Sequence, residues 1–228
     1  MRLSACLISM DEENYIIKCL ESIKRFVDEI VLIDGGSTDL TDTLVTEWAG
    51  NHKGIDVKYG IVEWQNHFGD QRQESFKYAT GDWIMRVDCD EVASQQVRMG
   101  IRSMLEKVPT SCLAIRVRQM NLYPDEGHYA ADCGGWETWP RIWRRSNELK
   151  WVGQVHEHVM LNRPEGMVDI PEEQVWNWNV NMVHMGWLER GRRQARENLY
   201  RTMPGSGFKE AGDLTQRQYV IKEVPDNI

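Results

Sequence analysis

The sequence predicts an α/β fold: a doubly wound, Rossmann-like and mostly parallel sheet flanked by helices. Three observations predict it. Short apolar runs alternate with segments whose apolar residues recur at helical spacing, which is the rhythm of β-α units. The first, second and fourth runs end in acidic or glycine-bearing loops, as ligand-binding loops do at the carboxyl ends of parallel strands. Seven of the ten tryptophans fall between residues 136 and 187, so the second half is built from different material.

Leu3 to Met10 is short enough for a parallel strand, and Asp11, Glu12, Glu13 and Asn14 form an acidic helix start that complements the helix dipole. Ile16, Leu20, Ile23 and Val27 then recur at helical spacing. Glu29 to Ile33 is the second strand. It closes in Asp34-Gly35-Gly36-Ser37-Thr38-Asp39, where the glycines permit a tight turn and Ser37, Thr38 or Asp39 caps a helix through Trp48. Ile55 to Val62 is the third strand, and Trp64 to Asp70 leads into a helix running to about Tyr78, with Gly81 beyond it.

Thr80-Gly81-Asp82 feeds the fourth strand, Trp83 to Val87, and Asp88, Asp90 and Glu91 follow within four residues. Acidic groups held this close repel one another unless a cation or hydrogen-bond donors neutralise them. If the extended backbone persists, Asp88 and Asp90 share one face and Cys89 the other, which suits Mg²⁺ or Mn²⁺ with open positions left for phosphates. The alternative is a solvated acidic turn.

Val97, Ile101 and Leu105 mark another helix ended by Pro109, and Leu113, Ile115 and Val117 alternate with Ala114, Arg116 and Arg118 as in a half-exposed strand. The chain is loop-rich from Asn121, with a further strand from Trp151 to Val155. Its tryptophans are core residues or a flat platform for a sugar or a base. Arg190, Arg192, Arg193 and Arg196 stud a helix to about Met203, and the tail after Pro204 reads as weakly ordered.

A chain of 228 residues buries one substantial core, and a net charge of −8 disfavours a broad grip on nucleic acid or anionic lipid. The first residues lack a signal-peptide layout and no apolar run approaches a bilayer span, so a cytoplasmic protein is expected. Cys6, Cys19, Cys89, Cys112 and Cys133 include no Cys-x-x-Cys, which argues against disulfides and structural zinc.

Taken together, several stretches resemble the family 2 glycosyltransferases of the nucleotide-sugar-binding glycosyltransferase-A fold. They are Ser9-Met10-Asp11-Glu12-Glu13-Asn14, Val27 to Val31, Asp34 to Thr41, Ala79 to Trp83, Asp88 to Glu91, Gly134-Gly135-Trp136, Pro140 to Arg145 and Val155-His156-Glu157. Within that family the likeness is to small bacterial enzymes related to the lipopolysaccharide-core and lipooligosaccharide β-1,4-glucosyltransferases. Many relatives carry Lys-Asn-Glu-Glu where this chain has Met10-Asp11-Glu12-Glu13, which leaves the base contacts open.

The resemblance implies a nucleotide-sugar-binding half (1–111), an acceptor-binding half of the same domain (112–203) and a C-terminal tail (204–228). It implies a metal-dependent, inverting transfer of a hexose from a UDP-sugar to a hydroxyl of a glycan, lipid-linked or other acceptor. Met10, Asp11, Glu12, Asp34, Gly36, Ser37, Arg72, Asp88 and Cys89 would meet the donor. Asp34 is equally a turn residue on sequence alone, and Arg72 equally an exposed helix arginine. Asp90 would ligate the metal, with Asp88 assisting and His184 as a further ligand or a core histidine. Trp136, Arg141 and His156 would meet the acceptor. Glu157 would be the base, with Asp132 and Glu137 in reserve; its other readings are a salt bridge to Arg141 or Arg144, or a metal site from His156 and His158. Competing functions are a transferase acting on modified nucleic-acid bases, a nucleotidyltransferase, and a non-catalytic carbohydrate- or nucleic-acid-binding module.

Overall fold

The computed structural model describes residues 1–131, 139–203 and 220–225. Its strands are β1 (Leu3–Ser9), β2 (Glu29–Asp34), β3 (Asp56–Ile61), β4 (Trp83–Arg86), β5 (Glu91–Ala93), β6 (Ala114–Asn121) and β7 (His128–Ala130). They continue as β8 (Pro140–Arg144), β9 (Leu149–Val152), β10 (His158–Arg163), β11 (Gly166–Val168), β12 (Val175–His184) and β13 (Ile221–Glu223). The helices are α1 (Ile16–Ile23), α2 (Thr41–Asn51), α3 (Phe68–Tyr78), α4 (Gln95–Lys107) and α5 (Arg190–Thr202).

One eight-stranded sheet has the order β3-β2-β1-β4-β8-β6-β12-β5. The first four strands are parallel, as the β-α rhythm requires. The second half enters the same sheet antiparallel, through β8 pairing β4 on one side and β6 on the other. β12 then runs parallel to β6, and the short β5 returns antiparallel on its far side. β9, β10 and β11 form a separate small sheet, and β13 pairs with β7. The observed fold is therefore the expected α/β one, with antiparallel strands that no helical crossover had to deliver.

Apolar faces explain the packing. Ile16, Cys19, Leu20 and Ile23 of α1 are buried at helical spacing, and they join Leu3, Ala5, Leu7, Ile30 and Leu32 of the central strands in the main core. On the opposite face Phe76 meets Trp143 and Trp151, all three rings edge to face at 5.4–5.6 Å. Two boundaries differ from expectation. β4 ends at Arg86, and residues 88–91 form a turn closed by the Glu91 N–H donating to the Asp88 carbonyl at 2.9 Å, so strand alternation does not orient Asp88 and Asp90. The strand expected to reach Val155 stops at Val152, because Gly153 takes a φ of +95° and turns the chain.

Among the described residues, no helix is long and apolar enough to cross a membrane. Cys6, Cys19, Cys89 and Cys112 are free and buried. Trp136, Asp132, Glu137, Gly134, Gly135 and Cys133 lie outside the described residues, as do residues 204–219.

Candidate active site

The loops after β1 and β2 are laced together at the carboxyl edge of the sheet. Ser37 Oγ accepts from the backbone N–H of Asp11 at 2.8 Å, and Asp11 Oδ1 accepts from the N–H of Thr38 at 2.8 Å. Glu12 N–H donates to Thr41 Oγ1 at 2.7 Å. Asp11 sits at a φ of 54° and Gly36 at 98°, left-handed positions that bring the two loops side by side. Asp34 organises the turn: Oδ1 accepts from the N–H groups of Gly36 and Ser37, and Oδ2 from the hydroxyls of Ser9 and Ser37. It is 1% exposed. Asp34 is therefore the turn residue that its sequence position allowed, with four hydrogen bonds accepted from Gly36, Ser37 and Ser9.

A cavity of about 370 Å³ opens beside these loops, lined by Ser9, Met10, Asp11 and Glu12, by Trp64, Phe68 and Gln71, and by Ala195 and Leu199 of α5. Tyr200 of the same helix meets Phe68 edge to face at 5.9 Å. The predicted donor residues Met10, Asp11 and Glu12 thus come together, while the side chains of Arg190, Arg192, Arg193 and Arg196 lie outside the described residues.

Arg72 of α3 is buried between two carboxylates. Its Nε donates to Glu157 Oε1 at 2.6 Å and its Nη2 to Asp88 Oδ1 at 2.8 Å, with the guanidinium 5.5 Å from the centre of the Trp151 ring. Arg86 Nη2 lies 3.5 Å from Asp88 Oδ2. Burial works against the charged form of Asp88, but the guanidinium groups of Arg72, Arg86 and Arg141 outweigh it and hold the carboxyl below the usual carboxylate range. Arg72 is thus buried instead of being an exposed helix arginine, and Asp88 accepts from Arg72 with Arg86 beside it.

Asp90 and His184 form a second buried pair. His184 Nδ1 donates to Asn121 Oδ1 at 2.7 Å, which turns Nε2 toward Asp90 Oδ2 at 3.2 Å. Gly186 covers them so closely that an added Cβ would lie 2.2 Å from Asp90 Oδ2 and 2.9 Å from His184 Nε2. A nitrogen lone pair beside a carboxylate oxygen fits a divalent cation as two of its ligands. Among the described residues no group of three or more His, Cys, Asp or Glu side chains is arranged to hold a metal.

Glu157 lies in the loop between β9 and β10, its side chain 12% exposed, and its salt-bridge partner is Arg72 instead of Arg141 or Arg144. It lines a cavity of about 440 Å³ that also holds Arg86, Arg116, Trp139, Trp143, Trp151 and His158. The structure places three further candidates. Arg141 is buried, with Nη1 on Glu91 at 2.7 Å and Nη2 on Gln119. His156 adopts a φ of 54° and sends its ring toward Tyr200, 6.2 Å away, so His158 faces this cavity in its place. The Cys89 thiol is buried and donates at 3.2 Å to the carbonyl of Ile8, a residue of the first cavity's lining, while Cys89 itself is on the lining of neither cavity.

Sequence reasoning missed Arg86, Asn121 and Gly186. Arg86 left a signal: a lone cation closing the apolar run Trp83-Ile84-Met85. Asn121 and Gly186 left none, because their roles depend on strands far apart in the chain.

Residues 4–163 match the family described as Glycosyl transferase family 2. A TPR repeat-containing protein of Synechococcus elongatus is 35% identical over 195 residues, covering 86% of this chain and 44% of that protein. The chain therefore spans less than half the length of this relative. The lipopolysaccharide core biosynthesis glycosyltransferase LpsC of Rhizobium meliloti is 26% identical over 211 residues, covering 92% of this chain and 73% of the relative. The crystal structure of S. aureus TarS 1–349 in complex with UDP-GlcNAc superposes with a TM-score of 0.60 at 15% identity, covering 88% of this chain and 64% of that one.

Proposed function

The chain belongs to glycosyl transferase family 2, and on that premise we propose that it moves a hexose from a UDP-sugar to an acceptor hydroxyl, with inversion and with a divalent cation. The observation that carries this reading is a pair of cavities on either side of one charged seam. Gln71 faces the first cavity, Glu157 faces the second, and Arg72 lies between them, bonded to Glu157 and Asp88.

The uridine end is assigned to the cavity of Met10, Asp11 and Glu12, where Trp64 and Phe68 offer ring faces. Asp90 and His184 would hold Mg²⁺ or Mn²⁺, which supplies charge stabilisation for the departing diphosphate. Glu157 takes the proton of the acceptor hydroxyl as its oxygen bonds to the anomeric carbon and the bond from that carbon to UDP breaks. Arg72 fixes the carboxylate at the seam. A UDP-sugar donor agrees with the ligand in the TarS complex, and a glycan acceptor with the naming of LpsC.

Two variants test the reading. Asp90→Ala is expected to abolish transfer and metal-dependent UDP binding, measured by calorimetry with and without Mn²⁺; unimpaired turnover would end the proposal. Glu157→Gln is expected to keep UDP affinity and lose transfer by roughly 10²–10⁴-fold, the usual contribution of a positioned base. Retained transfer would move the base elsewhere.

A further inference from the structure

The cavity beside Glu157 has a lining that proton transfer alone does not require. Four residues of its lining each carry a buried N–H that has no partner among the described residues: Nε1 of Trp143 and of Trp151, and Nε of Arg86 and of Arg116. The two indoles are 1% and 6% exposed. An unpaired buried donor costs about 1–3 kcal/mol, so four around one cavity call for acceptor atoms that arrive with a ligand. The Glu157 carboxylate on the same lining supplies the opposite polarity, an acceptor for a ligand hydroxyl.

Charge narrows the choice. Arg116 is bidentate on Glu172, and Arg86 pairs with Asp88. An anionic ligand would meet cations already matched, and would face the carboxylates of Glu157, Asp169 and Glu172. The walls are indoles: Trp139, 50% exposed, on the cavity lining, and Trp143 and Trp151 edge to face at 5.5 Å. A ring with C–H faces and hydroxyls that both accept and donate satisfies indoles, orphan donors and carboxylate together. The volume, about 440 Å³, lies within the range of small-molecule sites, roughly 300–1,000 Å³.

Resting on the transferase reading above, we infer that this cavity is the acceptor subsite and that the acceptor ends there in a neutral sugar ring, instead of a phosphate, a peptide or a nucleobase. The subsite residues are Trp143, Trp151, Arg86 and Arg116, with Trp139 stacking beside them.

The test is a fluorescence titration of the full chain, read from its tryptophans, with glucose, galactose, mannose, lactose and cellobiose against glucose 6-phosphate and mannose 6-phosphate. UDP is titrated separately. At least one neutral sugar is expected to give a saturable change, weakened about tenfold (roughly 1.4 kcal/mol) or more in Trp151→Phe and Arg116→Lys, with UDP affinity unchanged. Arg116→Lys retains the charge opposite Glu172 while lacking the Nε–H, and its partly exposed site keeps the variant informative should Trp151→Phe not fold. Three outcomes overturn the inference: no neutral sugar binds at tens of millimolar, a phosphorylated sugar binds more tightly than its neutral form, or Arg116→Lys leaves sugar affinity unchanged. UDP binding without sugar binding overturns this inference and leaves the donor reading standing; sugar binding without UDP binding does the reverse.

Discussion

Arg72 is the residue on which both halves of the site converge. It bridges Asp88, 16 residues away in sequence, and Glu157, 85 away. Removing it takes the guanidinium from Glu157 and leaves Asp88 to Arg86, and breaking a buried pair this way costs up to about 3–5 kcal/mol. Arg72→Ala is therefore expected to lower the melting temperature by several degrees, whereas Arg72→Lys, a point cation without the fork, should fold but lose kcat with little change in UDP affinity. Equal losses in kcat and UDP affinity would assign Arg72 to the donor instead. Gly186→Ala is expected to cost about 1–3 kcal/mol of stability, measured by chemical denaturation, and to weaken metal-dependent UDP binding about tenfold or more, since its methyl would press the buried Asp90 and His184 apart. The presence of Asp34, Arg72 and Arg141 near the site was legible in the sequence, but their commitments were not. A residue type reports what a side chain can bond, and only the fold decides which partner reaches it first.

At the scale of elements, the sequence spoke clearly where one period ran uninterrupted. The strand and helix spacing through Trp83 predicted four parallel strands because each apolar run buries itself against the next amphipathic helix. Beyond Asn121 the strands are short and their pairings non-local, so no period announces β8 between β4 and β6. α5 lay in plain view as a helix, but its part in walling the first cavity with Ala195 and Leu199 depends on where β12 ends. Leu199→Asp is expected to leave the sheet intact and to weaken UDP binding several-fold, measured by calorimetry; unchanged affinity would remove α5 from the donor site.

At the scale of the molecule, the amino edge of the sheet is pinned by one buried acid. Glu29, 0% exposed, accepts from Ser4, from Lys58 Nζ and from both the N–H and hydroxyl of Thr80, tying β1, β2 and β3 to the turn before β4. Burial pushes its pKa up, but these hydrogen bonds outweigh it and hold the carboxyl at about 2, below the ordinary glutamate value of 4.5. A depressed folded pKa gives stability that is full above the unfolded value and drains as pH falls from about 4.5 to about 2. Chemical denaturation across that window should show a loss on the order of 2 kcal/mol that Glu29→Gln abolishes; an unchanged pH slope in the variant would place the acid sensitivity elsewhere. The insertion of β8 beside β4 carries a different consequence. A chain cut at residue 111 would surrender that neighbour, leaving Trp83, Ile84 and Met85 on a bare, apolar rim whose backbone amides seek another strand. Such a fragment is expected to clump with its own copies, and a soluble, monomeric piece in gel filtration would count against this; the two halves of the domain are to be expressed and engineered as one piece.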